Sequence, residues 1–567
     1  MSHGLLKQMT ISLATAMVCW TTGIAGTTDL VAEGVNWPRF GGPNNSGSAN
    51  QTDIDLIDDL RNAGLIWESE PVPDGRAPDG SNDVQSSVSG GFASPVVADN
   101  KVYLFYYQPS GTVYSKQQVE KTYQYTNGVT KDKWLISADD VVICFDAQSG
   151  ETLWKTVFIE KGLNWQGFNK AGPGLTTCVS NGKVYAVGTT GRMYCLDAAT
   201  GDSHWESHIG YRHEMMEGIK QQWLDKEEMG YFNRDMGGSP VVIGNAVVMN
   251  TSTLAKGDFP PYEDRPNGLI ARNAETGDSI WFVESCIGLG ETPLEWSKDG
   301  RSYVLSAGDG YLSVDRQSVF CFDSETGEKV WEIATGPKNG NGLVVDGDHL
   351  ICQGDSPDGV RTMCYLLNTE NPQLLWSIPE RYDAPPALDH NGHVYLHLDD
   401  GRLACVRLSD GMILSFNYTQ KPAFMVWSNG VLFMDTDQSH GGGQTYLYSG
   451  TPLKIARLGY FRIFPFAGGY YPRIFPALVD GRLFVRHDDA MACYDFRSSS
   501  AETRNSESAI SRLQSALPQL RTPFSNRGGK PGDARLDLRG RRLVQPNTTA
   551  GHSQADLIEV HVGKINE

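Results

Sequence analysis

The chain has 567 residues, 40% hydrophobic and 10% aromatic, enough to bury a sizeable core. Its formal net charge of −19 excludes broad nucleic-acid binding, which needs basic patches to neutralise phosphates. The 62 glycines follow no collagen-like period and point to many tight turns.

Residues 1–32 read as a signal peptide and processing region. Lys7 supplies the positive charge, residues 11–24 are mostly apolar or small, and Gly23-Ile24-Ala25 and Leu30-Val31-Ala32 offer cleavage sites. That run, broken by threonines, is short of the roughly 20 apolar residues of a membrane span, so no transmembrane segment is expected. Residues 33–63 form an N-terminal arm rich in turn formers, including Asn36-Trp37-Pro38-Arg39-Phe40-Gly41-Gly42-Pro43.

From residue 64 a unit recurs. Asp146-Ala-Gln-Ser-Gly150 precedes Trp154, Asp197-Ala-Ala-Thr-Gly201 precedes Trp205, Asn273-Ala-Glu-Thr-Gly277 precedes Trp281, and Asp323-Ser-Glu-Thr-Gly327 precedes Trp331. The Asp or Asn side chain accepts hydrogen bonds from the turn, the glycine takes φ > 0, and the tryptophan is an apolar anchor on the next strand. Ahead of each turn lie three apolar strands, the first pair joined by turns such as Asn181-Gly182. Such units repeat from Ser94 to Asp495, a fifth ending at Trp376, a sixth with Phe416 where tryptophan is expected, a seventh without one, and an eighth lacking its fourth strand. Gly64-Leu65-Ile66-Trp67-Glu68 matches the missing strand. The pattern predicts an all-β, eight-bladed β-propeller of four-stranded blades over residues 64–497, closed by the strand near Trp67.

Of the ten cysteines, Cys144, Cys195, Cys321, Cys364, Cys405 and Cys493 occupy equivalent strand positions in successive units. They are therefore expected to be spread around the ring as buried thiols rather than paired. No CxxC or zinc-ligand spacing occurs, and no metal site is expected. Residues 498–567 carry one aromatic, Phe524, and ten Lys/Arg against seven Asp/Glu, a composition expected of a disordered tail.

The Asp-x-x-Thr-Gly-x-x-x-Trp turns resemble the tryptophan-docking repeats of pyrroloquinoline-quinone (PQQ)-like β-propellers. The arm motif at Trp37 is similar to the opening of exported bacterial proteins of that type. The resemblance implies a structural docking role for Trp67, Trp154, Trp205, Trp281, Trp331 and Trp376. It also implies two contrasting functions: a binding scaffold, or a PQQ-dependent oxidoreductase with Ca²⁺ and a site at the propeller axis. An oxidoreductase of this kind is expected to carry two adjacent cysteines and an assignable metal triad, and neither is evident; no Cys-x-x-Cys-His haem motif occurs either. No cofactor is predicted, with PQQ and Ca²⁺ as the alternative.

Function is sought in the loops. In each blade the Asp-x-x-Thr-Gly turn joins strands C and D on one face, so the B–C and D–A connections emerge on the other. Long insertions at 108–139, 160–173, 211–236 and 251–267 all fall on that second face, over blades one to three, and are expected to wall the axial opening. Ligand-binding candidates there are Trp165, Gln166, Asn169, Arg212, His213, Glu214, Asn233, Arg234, Asp235, Glu263, Asp264 and Arg265. Asp309, Asp355 and His440 lie further round the same face. His213 beside Glu214 suits acid/base work or metal ligation, although a solvated loop histidine is the plainer reading, and the same holds for His397, His440 and His487. Catalytic residues are not assignable. The expected protein is exported to the periplasm or cell envelope and binds an envelope protein or small ligand through this face, with no nucleic acid as partner. Purely structural packing in an envelope complex is the third reading.

Overall fold

Period-two apolar strands punctuated by glycine turns have one economical outcome, a ring of small sheets. The computed structural model describes residues 36–48, 56, 63–72, 93–115, 133–163, 175–188, 190–208, 238–250, 268–284, 292–308, 318–334, 342–354, 362–436, 445–461, 474–487 and 490–497. Within them, antiparallel strands form eight four-stranded sheets, an eight-bladed β-propeller. Blade 1 is Val96–Ala98, Lys101–Ser115, Lys133–Asp146 and Thr152–Leu163, strands A to D in chain order. Blades 2 to 7 repeat that order. Blade 8 takes strands A to C from Ala477–Val479, Arg482–His487 and Ala490–Asp495, and its outer strand from Gly64–Glu68, paired from Gly64↔Asp495 to Glu68↔Ala492. First and last segments thus close the ring, as the sequence predicts, and no blade is left a strand short. The A strands of neighbouring blades touch one another, so they line the axis and the D strands form the rim.

Register explains the cysteines. Tyr103, Cys144 and Trp154 lie side by side across strands B, C and D of blade 1, and Tyr185, Cys195 and Trp205 do so in blade 2. Cys321 faces Trp331, Cys364 faces Trp376, and Cys493 faces Trp67. The described cysteines are buried and free. Burial pushes the Cys144, Cys195 and Cys364 thiols up to about 12, so they are packing groups rather than thiolate nucleophiles.

The predicted tryptophans are buried or half-buried, and five of the six donate to the C–D turn of the following blade. Trp154 Nε1 donates to Ala198 O (3.2 Å), Trp205 to Ala274 O (3.2 Å), Trp281 to Ser324 O (3.0 Å), Trp376 to Leu408 O (2.7 Å) and Trp67 to Ala147 O (3.0 Å). The turn glycine makes this possible: Gly201 has φ 77°, and a Cβ there would lie 2.5 Å from the Trp154 ring. Asp197 Oδ1 accepts from the backbone of Ala199 (2.8 Å) and Thr200 (2.9 Å), and these bonds hold its carboxyl below the usual range.

Two sequence expectations need correction. Phe416 does not occupy the tryptophan position, because Cys405 faces Ser415 and Phe416 falls on the opposite face of the strand, half exposed. The blade 1 insertion at 108–139 is partly regular structure, since strands B and C run on as a paired ribbon to Ser115 and from Lys133. Trp331 fills its expected buried place, but its Nε1 has no hydrogen-bond partner among the described residues. The blade 5 turn, Leu367-Asn368-Thr369-Glu370-Asn371, has no glycine to let the indole approach as it does elsewhere.

The arm packs across the inner strands of the ring. Trp37 exchanges backbone hydrogen bonds with Val97 of blade 1 (2.7 and 2.9 Å), and Pro38 O accepts from Val179 of blade 2 (2.8 Å). Phe40 packs edge-on against Phe475 of blade 8 at 4.8 Å. The single 3-10 turn Pro43–Asn45 touches the A strands of blades 4 and 5. Ser46 O then accepts from Leu388 of blade 6 (2.9 Å) and Gly47 O from Trp427 of blade 7 (2.8 Å). All these partners lie on or beside A strands, so the arm spans the axial mouth on the face that carries the A–B and C–D turns.

Candidate functional site

Two faces follow from this topology. The turn face holds the A–B and C–D hairpins and the arm. The loop face receives the B–C and D–A connections, and it is there that sequence reasoning placed function. Trp165, Gln166, Asn169, Arg212, His213, Glu214, Asn233, Arg234, Asp235, Glu263, Asp264 and Arg265 lie outside the described residues, as do Asp309, Asp355 and His440.

What is described of the loop face begins with a wall. Blade 1 extends past its neighbours because strands B, C and D continue together, with Ser110↔Ser137 and Ser137↔Leu163 still in register. Asp139 ties the three: Gln108 Nε2 donates to Oδ2 (3.1 Å) and the Glu160 backbone to Oδ1 (2.8 Å). Beside it, the fully buried Asp140 accepts from Tyr194 Oη of blade 2 at 3.0 Å, and Phe158 stacks on the Tyr194 ring at 3.8 Å. Burial first, and then the Asp140 charge, push the Tyr194 phenol far above its ordinary range, so it remains a proton donor to the carboxylate. Gly188 completes the corner, where a Cβ would fall 2.0 Å from the Asp140 carboxylate. Thr190 Oγ1 donates to Lys161 O (2.8 Å), fastening blade 2 to the wall. The outer strand of the wall leaves Ile159 72% exposed, an apolar side chain with nothing against it among the described residues.

Across the ring, the short connections around blade 6 bring together Asp383, His397 and Lys421. His397 is buried at the end of strand B, its Nδ1 lies 2.6 Å from Asp383 Oδ1, and Lys421 Nζ stands 4.0 Å from the other oxygen. The carboxylate fixes the tautomer and leaves Nε2 as a buried nitrogen without a partner. His397 thus has a structural tie that sequence alone left open. Equivalent positions are buried and polar in blades 3 and 5, at Asn250 and Gln353, so the loop-face end of the inter-blade space is more polar than the turn-face end.

Near the opposite mouth a side-chain relay joins the arm to blades 5 and 6. Ser48 Oγ lies 2.6 Å from His390 Nε2, and His390 Nδ1 lies 3.2 Å from Asp346 Oδ1. A cavity of about 400 Å³ opens beside it, lined by Asp346, His349, Asn391, His393, Arg407 and Leu408 among others. Sequence reasoning singled out none of these residues. Asp346 and His390 lie at A–B hairpins that read as ordinary turn formers, and the arm residue that joins them, Ser48, is 342 residues from His390, a proximity visible only in the fold.

A Ca²⁺-bound quinone needs a flat, open axial chamber with clustered acids. Among the described residues no group of three or more His, Cys, Asp or Glu side chains is disposed to hold a metal ion, and the turn-face mouth is occupied by Trp37 and its neighbours. The described residues do not fit that group.

A family model described as outer membrane protein assembly factor BamB matches residues 138–414. No curated protein sequence matches the chain. The quinohemoprotein alcohol dehydrogenase of Comamonas testosteroni is similar at 13% identity, over 89% of this chain and 84% of that one, with a TM-score of 0.49. Alcohol dehydrogenase ADHIIG of Pseudomonas putida HK5 is similar at 14% identity over 81% and 80%, TM-score 0.48. BamB of Moraxella catarrhalis is similar at 13% identity over 76% and 98%, TM-score 0.34. Likeness at this level is silent on activity.

Proposed function

Since this chain is a PQQ-like β-propeller, we propose that it is an exported binding scaffold of the periplasm or cell envelope, engaging a protein or ligand through its loop face over blades 1 to 3. The observation that supports this reading is the pairing of a filled turn-face mouth with a projecting wall on the other face. Strands B, C and D of blade 1 extend together beyond the ring, braced by Asp139 and by the buried Asp140–Tyr194 contact. A rigid platform that carries its long insertions beside such a wall suits recognition, because the scaffold presets the loops at little ordering cost. The polar groups of Arg212, His213, Glu214, Asn233, Arg234, Asp235, Glu263, Asp264 and Arg265 supply the chemistry of that face. The match of residues 138–414 to the BamB family model favours a protein over a small molecule as partner.

Two measurements test the reading together. Chemical cross-linking of the protein in an envelope extract is expected to place partner cross-links in 108–139, 160–173, 211–236 and 251–267, and deletion of 211–236 to remove them while the β-sheet circular dichroism persists. Cross-links confined to the rim or the turn face would sink the proposal. Saturating PQQ with Ca²⁺ is expected to leave the melting temperature unchanged, whereas a ligand-dependent rise and a quinone absorbance shift would transfer the function to a redox site.

A further inference from the structure

The turn-face mouth of the axis is built as a polypeptide-docking groove. Most innermost strands are two or three residues long, such as Val96–Ala98, Cys178–Ser180 and Ala387–Leu388, with Leu294–Lys298 and Pro422–Ser428 longer, and their inner edges carry backbone groups that no other strand of the sheets pairs. The arm satisfies them: Val97 N donates to Trp37 O, Val179 N to Pro38 O, Leu388 N to Ser46 O and Trp427 N to Gly47 O, each between 2.8 and 2.9 Å. This is strand-edge recognition by main-chain hydrogen bonds, with side-chain pockets adding selectivity. The selective elements are also in place. Trp37 is fully buried, Phe40 meets Phe475, and Gly41, Gly42 and Gly47 hold φ of 68°, 81° and 59°. A Cβ on Gly47 would lie 2.9 Å from Pro386 O, so the groove reads glycine there, and one on Gly42 would lie 2.9 Å from the arm's own Trp37 ring, so the docked conformation requires glycine there too.

The ring does not need the arm in order to close. Each of the eight sheets is complete without it, and the closing strand is Gly64–Glu68, downstream of the arm. At the arm's far end the hold is a side-chain relay, Ser48 to His390 to Asp346. We propose that the arm is a displaceable in-cis occupant, and that the mouth accepts in its place an extended segment of a partner protein bearing the same order of features: a tryptophan, an aromatic three residues on, and a following glycine. This gives the propeller a second protein-binding surface, on the face opposite the loops and independent of the function proposed for them.

The test uses the full chain and a fluorescent synthetic peptide of residues 36–48. In the unaltered protein the tethered arm competes at an effective concentration of roughly millimolar, so the peptide is expected to bind weakly. Ser48→Ala in the chain, which removes the relay contact from the tethered arm and leaves His390 to the peptide's own Ser48, is expected to tighten peptide binding about ten-fold, the equivalent of one hydrogen bond lost in cis. A peptide with Trp37→Ala, or with Gly42→Ala, is expected not to bind. Hydrogen exchange on the unaltered chain guards against a variant that merely unfolds: the amides of Trp37 and Val97 are expected to exchange faster than that of Val142 in a blade interior. Peptide that binds no better to the Ser48→Ala chain, or arm amides that exchange only with global unfolding, would overturn the proposal.

Discussion

The joint between blades 1 and 2 and the joint between blades 6 and 7 solve one packing problem with different parts. At the first, Ala198 O accepts from Trp154 Nε1 (3.2 Å) and from Tyr103 Oη (3.0 Å), both reaching across from blade 1. At the second, Gly450 O is the doubly accepting carbonyl. It receives Tyr395 Oη from blade 6 (2.6 Å), as the pattern requires, but its indole donor is Trp427 of blade 7 itself (2.9 Å). Ser415 stands in the vacated position and donates to Thr451 O at 3.3 Å. What these two joints share is one carbonyl with two side-chain donors, and the blade that supplies the tryptophan differs between them. What the exchange alters is the rim. With no large side chain to bury from blade 6, Phe416 and Tyr418 turn outward, half or more exposed, and pair with each other at 5.9 Å.

The largest effect is expected where one tryptophan serves both as core and as clasp. Trp154→Ala removes a buried ring and leaves Ala198 O with a single donor, which costs about 3–5 kcal/mol. Trp427→Ala removes the corresponding clasp at the other joint from a side chain that is only part-buried, and a smaller loss is expected. Urea denaturation of both variants compares them directly. Equal losses would mean that the two joints are energetically the same and that the rearrangement at blade 6 is incidental.

That comparison also marks what was legible in the residues. The joints of blades 1 to 5 could be read because each prints a turn capped by Asp or Asn, usually a glycine, and a tryptophan at fixed spacing, all local in the chain. Trp427 could not be read as the replacement, because it sits in strand A of its own blade and not in strand D, eight residues beyond a capped turn, where the repeat places its docking tryptophans. Phe416 misled for a physical reason: a β-strand reverses its faces at every residue, so one position's displacement carries an aromatic from the joint to the solvent. The candidate site was less legible still. Long insertions announce themselves by length, which located the loop face, but the Asp140–Tyr194 corner, the Asp383–His397 pair and the Ser48–His390–Asp346 relay join residues whose proximity only the closed ring creates.

A second pair of variants separates the clasp from its turn. Gly201 and Gly182 both have positive φ, 77° and 71°, so alanine at either is expected to cost about 1–2 kcal/mol for the left-handed conformation alone. Only at Gly201 does the new Cβ meet the Trp154 ring, at 2.5 Å, while nothing lies within 4 Å of the one at Gly182. Gly201→Ala is therefore expected to lower the melting temperature more than Gly182→Ala and to redden the tryptophan emission as the indole is pushed towards water. Matching shifts would show that the turn, rather than the docking, sets the strength of the joint.

The finest distinction lies between Trp376 and Trp331, alike in burial and in facing a cysteine across the sheet, unlike in their indole nitrogen. Trp376 Nε1 donates to Leu408 O at 2.7 Å, whereas Trp331 Nε1 has no partner and the blade 4–5 joint relies instead on Trp296 Nε1 donating to Asp348 Oδ1 at 3.0 Å. Lys298 reinforces that contact by pairing with the same carboxylate. Phenylalanine removes an N–H as well as ring area. At Trp376 it leaves a buried carbonyl short of a donor and is expected to cost about 1 kcal/mol more than at Trp331, where it relieves a buried N–H that nothing satisfies. Denaturation midpoints of Trp376→Phe and Trp331→Phe read the difference. A larger loss at Trp331 would mean that its indole finds an acceptor in solution, and that the joint between blades 4 and 5 is clasped like the others despite a turn that lacks the glycine.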